Sequence, residues 1–161
     1  MNYKRLCSIA VLFFVLTFPV FASTVSFLVV ETGLNEETIT QYGSLWEGGL
    51  MAAFFDAGHI VTNSPIARME ERPARDLSNY IEIDFYEARV NGAEYFILGF
   101  LEFQKKDGPV PNSMIVKIYN TNTGNLVFER SFSAGKGKNL GEEYQIAVNA
   151  GRIIVTNIKD M

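Results

Sequence analysis

Apolar and polar positions along this chain fall into blocks that switch between a period of two and a period of three to four. Thr24 to Glu31 (TVSFLVVE) is apolar on both alternating sets, the pattern of a strand buried on both faces. A polar turn follows, Thr32 to Glu37. From Thr38 to Ala57, the residues Ile39, Tyr42, Leu45, Trp46, Leu50, Ala53 and Phe54 recur at helical spacing and predict a helix. It ends at Asp56-Ala57-Gly58, with glycine at the usual C-terminal position. Gly43, Gly48 and Gly49 each cost on the order of 1 kcal/mol against alanine, so they read as places of close packing. His59 to Asn63 predicts a short edge strand, and Ser64 to Arg72 a loop. Pro73 is expected to open a second helix, where its missing N–H costs nothing, running to about Val90. Leu77, Ile81, Phe85 and Ala88 form one apolar stripe of it; Ile83, Tyr86 and Val90 form a second.

The segment Glu94 to Phe103 is again apolar on both sets, interrupted by Gly99. A polar loop spans Lys105 to Pro111. Ser113–Asn120 and Leu126–Ser133 then read as a hairpin around T-N-T-G-N, whose asparagines and glycine suit a tight turn. Met114, Val116 and Ile118 alternate with Lys117 and Tyr119, so this half of the sheet is expected to be covered on one face only. Leu140 to Ile158 predicts a closing helix with Tyr144, Ala147, Ala150 or Gly151, Ile154 and Ile158 inward. The expected fold is α/β (an α+β sandwich) with a five-stranded mixed sheet and element order β-α-β-α-β-β-β-α. The expected strand order is 2-1-3-4-5, with the first three strands parallel and the hairpin added.

The N-terminus changes the picture. Lys4 and Arg5 precede an apolar run from Leu6 to Phe18, Pro19 breaks it, and Val20-Phe21-Ala22 offers a cleavage site. Residues 1–22 therefore read as a secretory signal peptide, and residues 23–161 as a single periplasmic domain. An uncleaved anchor is the competing reading, although the run is short of the ~20 residues a bilayer needs. Cys7 is the one cysteine and has no lipobox around it, so the exported part contains no thiol and no disulfide. Removing Lys4 and Arg5 from the 14 basic residues leaves 12 against 18 acidic ones, a net charge of −6. That balance excludes a general nucleic-acid or anionic-lipid binder, which needs a concentrated basic surface.

The stretches N91-G-A-E-Y-F-I-L-G99 and I-V-K-I-Y-N-T-N-T-G-N-L-V-F-E, set behind a glycine-interrupted helix and A57-G-H59, carry a resemblance. The chain resembles the periplasmic α/β domain shared by the curli-secretion CsgG group, the LpoB activator of a penicillin-binding protein, some flagellar outer-membrane accessory proteins and the N-terminal domain of TolB. The resemblance covers nearly all of the exported part. It implies a partner-binding domain near the envelope rather than a pore, since there is no room for barrel-forming hairpins.

Candidate chemistry is sparse. His59 is the one histidine, with no nucleophile elbow to serve, and reads as a polar residue at a strand start. One histidine and no exported cysteine disfavour zinc, and no cofactor is expected. The carboxylate pairs Glu36-Glu37, Glu70-Glu71 and Glu142-Glu143, with Glu82 and Asp84, read as charges placed near helix starts. S133-A-G-K-G-K-N-L-G141 fails both phosphate-loop patterns, though Lys136 and Lys138 before a helix offer a weak anion site. The stronger hint is surplus apolar helix surface: Ile83, Tyr86 and Val90 on the second helix, with Met51 and Phe55 on the far side of the first. Trp46 is expected in the core.

These readings lead to a non-enzymatic exported interaction domain that assists a flagellar, secretion or peptidoglycan-synthase assembly. An envelope protein is the expected partner, with a homo-oligomer as a further form. A small-ligand or anion binder using the 135–141 turn is the alternative.

Overall fold

The structure, a computed structural model, describes residues 22–34, 40–104 and 110–158. The signal-peptide reading of residues 1–21 and the Glu36-Glu37 pair lie outside them. The elements are β1 (Thr24–Thr32), α1 (Gln41–Asp56), β2 (Ile60–Asn63), β3 (Ala67–Met69), α2 (Tyr80–Val90), β4 (Tyr95–Phe103), β5 (Pro111–Asn120), β6 (Leu126–Ser133) and α3 (Leu140–Ile158). They form a mixed α/β fold around one sheet in the order β2-β1-β4-β5-β6, with β3 also on β1. β1 runs parallel to β2, β3 and β4, and the β5–β6 hairpin adds antiparallel to β4.

Among the described residues the sheet has six strands rather than five, because the edge next to β1 is split. Ile60–Asn63 pairs with the first half of β1 and Ala67–Met69 with the second half. Pro65 lies in the gap, where it has no N–H to give the ladder. Part of the expected Ser64–Arg72 loop is thus strand.

Alternation along β1 divides the core. Val25, Phe27 and Val29 face α1 and α3, packing with Trp46, Leu50, Phe54, Ala147 and Ile154. Leu28 and Val30 face α2, packing with Ile81, Ala88, Phe96 and Phe100. Glu31 ends β1 fully buried. Its carboxylate accepts from the Thr40 N–H at 3.1 Å, from the Thr40 hydroxyl and from the Arg68 guanidinium. One carboxylate thereby holds the N-cap of α1 and the short strand β3, and its charge suits the positive end of the helix.

The second helix starts at Tyr80, not Pro73, because Arg72 and Asp76 hold the segment before it against the sheet as an irregular strap. The Arg72 guanidinium lies 4.9 Å above the Phe100 ring. Asp76 accepts from Lys117 Nζ and Tyr119 Oη, both at 2.7 Å, and from Arg72 at 3.3 Å. This strap buries Lys117 and Tyr119, each 7% exposed, so β5 is covered on both faces there, against expectation, while β6 holds no buried residue. Burial alone would raise the Asp76 pKa, but the hydrogen bonds and charges of Lys117, Tyr119 and Arg72 outweigh it and hold the carboxyl below its ordinary value. Burial and the neighbouring Asp76 push the Tyr119 phenol well up, so it remains a donor.

The sign of the linkage follows. Asp76 stabilises the fold fully above the unfolded carboxylate value of about 3.9, and that contribution is lost as pH falls through the lower folded value. Asp76→Asn is expected to cost ~1 kcal/mol at pH 7, solvent access to the pair limiting the effect. Urea unfolding of both proteins should show the difference constant from pH 7 to 5 and shrinking below pH 4. A difference that grows on acidification would remove Asp76 as the strap's anchor.

Candidate functional site

α2 lies over the sheet with Ile81 and Ala88 buried, while Leu77 and Phe85 complete the inward stripe. Its opposite side is apolar as well. Ile83, Tyr86 and Val90, at i, i+3 and i+7, are 61%, 64% and 66% exposed. A soluble helix with one covered face ordinarily turns polar residues outward, so three large outward apolar side chains at one helical spacing are a feature in want of a partner. Glu82, Asp84 and Glu87 flank the stripe against a single Arg89.

Phe55 is also exposed, but it belongs to α1 on the other side of the sheet. Met51 is half-buried and packs against the α1–α3 core. The five apolar candidates therefore form two groups: Ile83, Tyr86 and Val90 together on α2, and Met51 with Phe55 on α1.

Beside α2, a cleft of about 340 Å³ separates the helix from the β2 edge. Ser26, Thr62, Asp84, Glu87 and Asn91 contribute polar groups to its wall, and Ala88 and Ala93 keep it open by being small. Ser26 is 6% exposed. Its hydroxyl has no hydrogen-bond partner among the described residues, and neither Asp84 nor Glu87 has an ion-pair partner there. Sequence reasoning did not find this cleft. Its one trace is Ser26 itself, a polar residue on the β1 set that otherwise presents Leu28 and Val30 to α2.

The Lys136–Lys138 turn is built differently. Both lysines are exposed, but the loop's peptide donors face inward to the chain's own carboxylates. Glu143, 1% exposed, accepts from Gly135 N–H at 2.7 Å, Gly137 N–H at 2.8 Å and Trp46 Nε1 at 2.8 Å. Glu142 accepts from Lys138 N–H at 3.0 Å. Glu143 thus occupies the position an external anion would take at this helix start. Trp46 is fully buried, as expected.

His59 is half-buried with its ring 5.5 Å from that of Phe54. Glu70 and Glu71 lie exposed beyond β3. Among the described residues no group of three histidine, cysteine or acidic side chains could hold a metal. No described helix is long and apolar enough to cross a membrane.

The fold defines a class, a mixed α/β domain with two helices on one face of the sheet and one on the other. No protein-family model matches the sequence, and no curated protein matches it significantly. Solved structures do match. A leucine-to-methionine variant of the PelC dodecamer from Paraburkholderia phytofirmans aligns with a TM-score of 0.51 and 15% identity over 84% of this chain and 87% of that one. TolB from Acinetobacter baumannii aligns at 0.43 and 12% identity over 86% of this chain and 27% of that one. The C-terminal domain of LpoB from Escherichia coli aligns at 0.43 and 15% identity over 70% and 82%. The resemblance to the TolB and LpoB group is thus met among solved structures; its curli-secretion branch is not shown by them. At these identities the likeness is one of fold and carries no residue roles.

Proposed function

We propose that this chain is an exported, non-enzymatic interaction domain that assists assembly or regulation of a cell-envelope machine, with the outer face of α2 as its docking surface. The observation that carries the reading is the stripe of Ile83, Tyr86 and Val90, exposed on a helix whose other face is already packed. The leader-like residues 1–22 support export, and the fold shared with PelC, TolB and LpoB supports an envelope setting. The PelC structure is a dodecamer, which supports self-association as one form of that docking. Nothing comparable favours the anion-binding alternative, because the amides of residues 135, 137 and 138 already donate to Glu143 and Glu142.

In-cell crosslinking of the tagged protein, followed by mass spectrometry, identifies what it holds. Ile83→Asp or Tyr86→Asp is then expected to weaken that association by about 30-fold, the loss of one buried apolar anchor. The variants should melt close to the parent, since both side chains are exposed in the folded domain. Unchanged association with folded variants would overturn the reading.

A further inference from the structure

We propose that the cleft between α2 and the β2 edge receives a lysine or arginine side chain of the protein that docks on α2. This rests on the docking reading and adds the partner's chemistry to it. Two independent features of the cleft point to a cation. Asp84 and Glu87, one helical turn apart on the flank of α2, bring two carboxylates that no described cation neutralises. Between them and the sheet lies Ser26, more than nine-tenths buried, whose unpartnered hydroxyl lines the same space. The Ser26 hydroxyl has no partner among the described residues, and an ammonium or guanidinium entering the cleft would donate to it.

The size and position of the cleft select a side chain on a protein. A volume of about 340 Å³ is at the small end of ligand pockets and accommodates one long side chain with its water. The cleft is not set apart from the docking stripe: Glu87 follows Tyr86 directly on α2, and Asp84 follows Ile83. A partner segment whose apolar residues lie on Ile83, Tyr86 and Val90 would therefore place a neighbouring residue at the cleft mouth. An aromatic anchor such as Tyr86 beside a desolvated cation matches the composition of interface hot spots, in which tyrosine and arginine are enriched. The acidic flank of Glu82, Asp84 and Glu87 opposes an anionic lipid surface and favours a partner with a basic rim.

The test uses the exported protein and defined probes. An amphipathic helical peptide with leucines at i, i+3 and i+7 and an arginine next to the middle leucine is compared with its glutamine counterpart and with free arginine amide. NMR titration is expected to move the resonances of Ser26, Asp84, Glu87 and Asn91 with the arginine peptide. The glutamine peptide should bind about tenfold more weakly, and added salt should narrow the gap. Asp84→Asn with Glu87→Gln should abolish the preference while leaving melting unchanged; Ser26→Ala, which removes only the hydroxyl, should reduce it. Equal binding of the two peptides, or shifts confined to other surfaces, would overturn the inference. Free arginine amide binding as tightly as the peptide would replace the partner side chain with a small cation and overturn it too. The two readings separate in cells. Partner association lost in Tyr86→Asp but intact in the Asp84→Asn, Glu87→Gln protein leaves the docking face and removes the cleft. Association intact in both removes the docking face itself.

Discussion

Glu143→Ala is expected to lower the unfolding free energy by about 3–5 kcal/mol. Glu143 is 1% exposed and its carboxylate accepts from three donors on two segments: Trp46 in α1, and Gly135 and Gly137 in the loop before α3. Removing it leaves an indole N–H and two peptide N–H groups without their acceptor. Hydrogen bonds to a charged acceptor contribute roughly 1.5–3 kcal/mol each, and three that share one acceptor do not add fully. Glu143→Gln should cost about half as much, because an amide keeps one acceptor oxygen and turns an NH₂ toward the remaining N–H. Urea unfolding followed by the fluorescence of Trp46, the only tryptophan, reads the difference directly. Amide exchange should accelerate at residues 135 and 137 before it does so in the sheet. A loss below 1 kcal/mol would mean that solvent or a rearranged loop replaces the carboxylate.

The parts of the fold legible from sequence are those whose stability is local or whose burial is uniform. β1 and β4 are apolar on both alternating sets and lie where the pattern places them, within a residue or two at each end. The hairpin follows from its turn: Gly124 takes a positive φ of 73°, and Asn120 Oδ1 accepts from the N–H groups of Asn122 and Thr123. α3 starts at Leu140 and ends at Ile158, as its spacing predicts. The strap before α2 was not legible, because what holds it is remote. Asp76 finds Lys117 and Tyr119 more than forty positions along the chain, and no local pattern announces that pairing. β3 was missed for a related reason: three half-buried residues form a strand only because β1 lies beside them. The two buried carboxylates were hidden in different ways. Glu31 ends an apolar strand like any polar boundary residue. Glu143 sits beside Glu142 and looks equivalent to it, yet only Glu143 falls on the inward line of Ala147, Ala150 and Ile154. The apolar stripe of α2 was legible as surplus; the cleft beside it needed the third dimension, since it joins β1, β2 and α2.

Exchanging the partners of one small-residue contact should be far less costly than enlarging either of them. α1 and α3 pack side by side on one face of the sheet through two reciprocal pairs, Gly49 against Ala147 and Ala53 against Gly151. A Cβ added at Gly49 would lie 2.6 Å from the Ala147 Cβ, and one added at Gly151 would lie 2.6 Å from the Ala53 Cβ. Both distances are well inside carbon–carbon contact, so the helices must separate to admit a methyl group. Helix propensity alone would make Gly49→Ala stabilising by about 1 kcal/mol. Overpacking of about 1–3 kcal/mol outweighs it, and Gly49→Leu, which forces several atoms into the same gap, should lose at least about 3 kcal/mol. The decisive variant is the double exchange, Gly49→Ala with Ala147→Gly. It cancels the propensity terms and returns the contact to one methyl group, so its stability should come within about 1 kcal/mol of the parent. Chemical unfolding of the four proteins closes the cycle. A double exchange no better than Gly49→Ala alone would place the constraint on the α3 backbone, where the same Cβ would stand 3.1 Å from the Val148 N–H nitrogen, rather than on the Ala147 methyl. Either result measures how tightly the closing helix is bound to α1, on the face of the sheet opposite the exposed apolar stripe of α2. Because α2 touches neither partner of the pair, a variant that loosens α1 from α3 without unfolding should leave the affinity of the α2 face unchanged.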